Sequence, residues 1–139
     1  MPNVSLYFPW RRDFELNIRE MDNQHRELVS IINQLQGAIN QGKGKEELAQ
    51  ILDNLLNYTD YHFAAEEKLM KKHAYPGFDE HRRKHAAMRE KVVSLVREYN
   101  QGRVSMAFSV LKFLQDWLSK HIMGTDKQYG IYLTKKGVK

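Results

Sequence analysis

Apolar residues in this chain recur at alternating three- and four-residue steps in four segments, a period that packed helices satisfy and strands do not. The stripe is Met21, Leu28, Ile32, Leu35 and Ile39 in the first segment, and Leu48, Leu52 and Leu55 in the second. It is Met88, Val92, Leu95 and Tyr99 in the third, and Ala107, Leu111, Leu114 and Leu118 in the fourth. Gly42-Lys43-Gly44, Tyr75-Pro76-Gly77 and Gln101-Gly102-Arg103 break the pattern between segments. Connections this short make consecutive helices antiparallel neighbours. The expectation is an all-α, up-down-up-down four-helix bundle. One domain should span 1–139: an N-terminal arm at 1–20 carrying Tyr7, Phe8, Trp10 and Phe14, a bundle at 21–123, and a C-terminal tail at 124–139.

Extending each stripe in its own phase puts polar residues in the core. His25 falls between Met21 and Leu28 in the first segment. The second passes Thr59 and reaches His62, Glu66 and Leu69, and the third, counted back from Met88, meets His85, His81 and Phe78. The fourth steps from Leu118 to His121. Five of the chain's 6 histidines therefore take core positions, although only about two in seven helical positions face such a seam. One histidine there would be an ordinary core residue. Five with a carboxylate need partners, and a metal supplies them. Alternating helix direction carries all six side chains to one end of the bundle. His62 and Glu66, like His81 and His85, are four apart and share a helix face. Asp126 follows His121 by five residues, about 140° round a regular helix. It reaches the seam only if the helix ends or loosens near Gly124, and spacing alone leaves that open.

Five imidazoles with one or two carboxylates are too many for a tetrahedral zinc and too rich in nitrogen for calcium or magnesium. Shared between two ions, with carboxylates bridging, they suit a dinuclear iron site. Neutral ligands compensate little charge, which favours the reduced pair and a mild exchange with dioxygen. The absence of cysteine rules out disulfides, thiolate metal sites and thiol nucleophiles. Gly42-Lys43-Gly44-Lys45 is a turn without a Walker pattern, and neither an HExxH nor a Ser-His-Asp grouping is present. The net charge of +5 reads as solvated helix faces and a basic tail at Lys135, Lys136 and Lys139, not as a nucleic-acid surface. No apolar run nears the ~20 residues of a membrane span, and no signal peptide is evident, so the expected location is cytoplasmic. His73 lies off the seam and is expected to face solvent.

The lone His25 after Met-Asp-Asn-Gln, then His62-x-x-x-Glu66, His81-x-x-x-His85 and His121-x-x-x-x-Asp126, resemble the ligand signature of the hemerythrins over nearly the whole chain. The arm with Trp10 and Phe14 resembles that of the single-domain bacteriohemerythrins. The resemblance implies two iron ions bridged by Glu66, Asp126 and an oxide or hydroxide. It implies His81, His85 and His121 on one iron, and His25 and His62 on the other, which keeps an open position. It implies a lining of Leu28, Phe63, Trp117, Leu118 and Ile122 around that opening. The implied function is reversible dioxygen binding for storage, transport or delivery by a non-enzymatic monomer, with an oxygen-consuming enzyme as recipient. The alternatives are oxygen sensing through a separate partner, and a di-iron oxidoreductase or nitric oxide-handling protein.

Overall fold

In the computed structural model, which describes residues 7–102 and 108–139, the four stripes are helical. Residues 1–6 of the arm, Arg103 of the third break and the expected seam residue Ala107 lie outside the described residues. The helices are α1 (Arg19–Asn40), α2 (Lys45–Lys72), α3 (Phe78–Asn100) and α4 (Phe108–Lys120). The last runs into a π-helical segment, His121–Asp126, and then α5 (Lys127–Lys135). These form a four-helix bundle, with α4, the π segment and α5 as one composite rod. Among the described residues no strand occurs and no helix is long and apolar enough to cross a membrane.

Helix ends are set by local chemistry. Asp22, in the first turn of α1, reaches back to accept the N–H groups of Leu16 at 2.8 Å and Asn17 at 3.1 Å. Its charge also complements the positive end of the helix dipole. At the far end Gly42, at φ 70, lets Lys43 N–H close onto Ala38 O at 3.0 Å, a Schellman ending that glycine adopts without strain. The end of α2 has the same bonding, Tyr75 N–H to Met70 O at 2.9 Å, but the left-handed residue is Ala74 at φ 54. A side chain there costs roughly 1–2 kcal/mol, partly offset in glycine by about 0.4–1 kcal/mol of extra unfolded-state freedom. Ala74→Gly is expected to raise the thermal midpoint by roughly 2–4 °C. An unchanged or lower midpoint in differential scanning calorimetry would show that this turn carries no strain.

The apolar core is in two parts. The larger joins Phe14, Leu28, Ile32, Leu35, Leu52, Leu55, Val92, Leu111, Leu114, Leu118 and Ile122 along the bundle. The smaller joins Leu16, Ile18, Met21, Met70, Tyr129 and Leu133 and closes one end. The seam slips within the long helices: Met70 and Val96 are buried where Leu69 and Leu95 were expected, and those two are only half-buried. A straight helix drifts about 20° per heptad from a strict seven-residue repeat, which over the length of α2 from Leu48 to Leu69 is enough to favour the next position. The described part of the arm packs on the bundle through Phe8, Trp10 and Phe14. Asn33 clasps its backbone, accepting Phe8 N–H at 2.7 Å and donating to Phe8 O at 2.8 Å. Arg26 stacks 4.8 Å over the Trp10 ring.

Residues 124–139 are not a simple tail. Tyr129 and Leu133 of α5 are buried, and Gly130 lies so close to Leu16 that an added Cβ would sit 3.3 Å from the Leu16 Cβ. Nor does the rod break at Gly124; it widens through the π segment and continues.

Candidate metal centre

The polar seam residues form a layer between the two apolar clusters. His25 projects from α1, His62 and Glu66 from α2, His81 and His85 from α3, and His121 and Asp126 from the π segment. All seven are buried. Asp126 joins them because i→i+5 bonding brings residues five apart into line, where a regular helix would turn its carboxylate away. Asp126 directs Oδ2 to His25 Nε2 at 3.0 Å, and Oδ1 to the Nε2 atoms of His81 and His121, each at 3.0 Å. Glu66 Oε1 lies 3.1 Å from His85 Nε2 and 3.4 Å from His62 Nε2, while Oε2 lies 3.3 Å from His25 Nε2.

Donor atoms fall into two groups, each within 4.8 Å of one another: Glu66, His81, His85, His121 and Asp126, and His25, His62, Glu66 and Asp126. Both carboxylates belong to both groups. The five Nε2 atoms, Glu66 Oε1 and both Asp126 oxygens face only one another, and none of these close approaches has the geometry of a hydrogen bond. Buried polar atoms without good hydrogen bonds in this number are costly. Five nitrogens and two carboxylates aimed inward fit a pair of cations, and the cluster could hold metal.

Electrostatics point the same way. Burial depresses the pKa of His25, but Asp126 and Glu66 outweigh it and raise the value to about 10. The same balance lifts His81 to about 9. For His62 burial wins and the value falls despite Glu66. Glu66 and Asp126 are held well below the carboxylate range although burial opposes it, Glu66 chiefly by His62 and His25, Asp126 by His121 and His25. Without metal, protons on His25 and His81 take the place of cations. Their stabilisation is complete below pH 6.5 and is lost as pH rises through about 9 and 10. The stabilisation from Glu66 and Asp126 is present above their ordinary values and lost on acidification. A metal must displace the imidazole protons, so uptake at pH 7.5 should release protons, and apparent affinity should climb towards pH 9–10. Calorimetry in buffers of different ionisation enthalpy measures the protons; metal uptake with no proton release contradicts this account.

Three supporting residues escape the stripe count. Gln24 Oε1 lies 2.6 Å from His62 Nδ1, Glu67 Oε2 lies 2.9 Å from His85 Nδ1, and Tyr129 donates its hydroxyl hydrogen bond to Glu66. Such contacts fix ring orientation and donor strength. Burial and then the Glu66 charge hold the Tyr129 hydroxyl well above its usual pKa, so it remains a donor. Gln24 and Glu67 each adjoin a seam residue and carry no periodic signal. Tyr129 does: Asp126, Tyr129 and Leu133 resume the three-four spacing beyond the π segment. His73, half-buried, caps α2, and its carbonyl accepts from Tyr132 at 3.4 Å. Of the expected lining residues, Leu28, Phe63, Leu118 and Ile122 are buried and Trp117 is half-buried. Phe63 stacks on His85 at 3.8 Å and 5°.

Fold and cluster together define a histidine-rich, cation-binding four-helix bundle. Residues 16–131 match the family model described as the hemerythrin HHE cation binding domain, and the chain belongs to the hemerythrin family. It is 30% identical to a bacteriohemerythrin of Methylococcus capsulatus over 118 residues, covering 85% of this chain and 89% of the relative. It is 33% identical to one of Pseudomonas aeruginosa, covering 86% and 77%. A myohemerythrin of Theromyzon tessulatum is 25% identical, covering 88% and 90%. A wild-type hemerythrin crystal structure superposes with a TM-score of 0.80 at 29% identity, covering 88% of this chain and 94% of that one.

Proposed function

We propose that the chain binds dioxygen reversibly at a non-haem pair of iron ions, for storage, transport or delivery. The observation that carries this reading is Asp126, which turns one oxygen to His25 and the other to His81 and His121. A carboxylate so placed serves two cations at once. Glu66, which also belongs to both donor groups, would hold the two ions together with Asp126, and a solvent-derived oxide or hydroxide would complete the centre. His81, His85 and His121 would hold one ion, and His25 and His62 would hold the other, whose smaller nitrogen set would leave a vacant side. Two ferrous ions supply the electrons that dioxygen takes up on binding and returns on release.

The remaining residues set the conditions. Leu28, Phe63, Leu118 and Ile122 keep water from the vacant side, and Trp117 covers them. Glu67 strengthens His85 as a donor, Gln24 orients His62, and Tyr129 steadies Glu66. The apolar lining offers no acid–base group to a substrate, and we assign the chain no catalytic step. One chain carries the whole ligand set, so a monomer suffices, and an oxygen-consuming enzyme is the recipient we assign. Anaerobic loading should give about two irons per chain and a higher melting temperature by linkage. Air should then bring up a visible absorption band that vanishes when oxygen is removed. One zinc per chain with no iron uptake would reject the metal assignment, and irreversible bleaching would reject the carrier.

A further inference from the structure

Over the outer side of His121, the facing sides of α3 and α4 form a groove of about 550 Å3, a volume suited to one small ligand. From α3 come Lys84, Met88 and Lys91; from α4 come Phe113, Trp117 and Lys120. Both sets are spaced four then three, so each lies along one helix face. Phe113 is 40% exposed, more than a core phenylalanine would be. The groove also touches His121, whose Nε2 lies 3.0 Å from Asp126.

The charges are one-sided. The lining carboxylate, Asp116, is engaged by Lys112 at 3.1 Å, and Lys84 leans to Glu80 at 3.8 Å. Among the described residues neither Lys91 nor Lys120 has a carboxylate partner. A neutral aromatic would leave both amines unanswered, and a bare phosphate would leave the apolar floor wet. A flat apolar ring carrying an anionic group satisfies both.

We propose that this groove binds a planar aromatic anion of the flavin mononucleotide class, and that it is the port by which electrons reach the metal pair. The ring rests on Met88, Phe113 and Trp117, and the phosphate is held by Lys91 and Lys120. The second half rests on the iron reading above; the first stands without it. Dioxygen that departs with two electrons, as peroxide, would leave both ions ferric, and recovery needs a two-electron reductant kept outside the apolar pocket. A dihydroflavin at the groove gives up two electrons, reducing two ferric ions to ferrous, and its two protons pass to solvent. The flavin is left oxidised, which balances the step.

The test uses metal-loaded protein under nitrogen, with flavin mononucleotide, riboflavin and inorganic phosphate as probes. Fluorescence anisotropy should show the nucleotide binding at least about tenfold more tightly than riboflavin, with affinity falling as salt rises. Lys91→Gln/Lys120→Gln should bring the nucleotide down to the riboflavin level. Lys68→Gln/Lys72→Gln, which removes the same charge from α2, should not. Stopped-flow reduction of the ferric protein by dihydroflavin mononucleotide should slow about tenfold, ~1.4 kcal/mol of barrier, in the groove variant alone. Equal binding of riboflavin, phosphate competing as well as the nucleotide, or a groove variant that binds like the parent overturns the site. Intact binding with unchanged reduction rates overturns the port. Dioxygen takes no part in either measurement, so failure of oxygen cycling is read separately.

Discussion

Asp126→Asn should lower iron content from about two ions per chain to one or fewer and abolish oxygen cycling, while helix content stays at the parent level. The substitution keeps the side chain's size but removes the charge that faces His25 on one side and His81 and His121 on the other. An amide oxygen is a weak donor, and the amide nitrogen would face either His25 or the pair opposite, so one cation loses its ligand outright. The bundle keeps its shape because the apolar clusters on both sides of the polar layer are untouched. Asp116→Asn is the matched control. Asp116 is exposed and pairs with Lys112 at 3.1 Å within one helix, an interaction worth about 0.3–0.5 kcal/mol. A variant at 126 that keeps two irons and cycles oxygen would move the bridge elsewhere.

Leu118→Ala should act on both stability and lifetime. Leu118 is 2% exposed and belongs to the larger cluster one turn before His121. Truncating it should cost roughly 2–5 kcal/mol through the cavity left behind. The same cavity admits water to the vacant side of the iron, and conversion to the ferric form should quicken about tenfold, ~1.4 kcal/mol of barrier. Leu52→Ala separates the two effects. Leu52 is 0% exposed in the same cluster, but ten residues, ~15 Å, before His62 along α2. It should lose comparable stability and oxidise at the parent's rate. If both variants oxidise alike, packing alone governs the lifetime and Leu118 gates nothing.

The buried histidines and Glu66 on α1, α2 and α3 were legible because seam geometry repeats: a residue in phase with Leu28, Leu55 or Val92 must face the same core. Asp126 was not legible from spacing, since the stripe count assumes 3.6 residues per turn and the π segment breaks that assumption where Asp126 enters. Resemblance to the family supplied it. Read past the widened turn, Tyr129 and Leu133 fall back into phase, so α5 was visible in principle and was hidden by the same assumption. Met70 was misplaced by one residue because drift accumulates along a helix as long as α2, whereas Val96 is buried beside Val92 and Tyr99, which keep their expected places. Gln24 and Glu67 leave no trace in the pattern. Each orients an imidazole from beside the seam, and a polar residue beside a seam resembles any solvated one.

The closure of the site has a consequence for the order of biosynthesis. The apolar cap over the polar layer is built from Leu16, Ile18 and Met21 on one side and Tyr129 and Leu133 on the other. Lys127 Nζ ties the two together, donating to Glu15 O at 2.9 Å across 112 positions of sequence. Both donor groups include Asp126, so a nascent chain that has released His25, His62, Glu66, His81 and His85 from the ribosome still has neither group whole. Contacts this far apart in sequence also pay their loop-closure entropy late. Neither donor group can therefore be complete until translation has passed residue 126, and the contact from Lys127 to Glu15 can form only after that point.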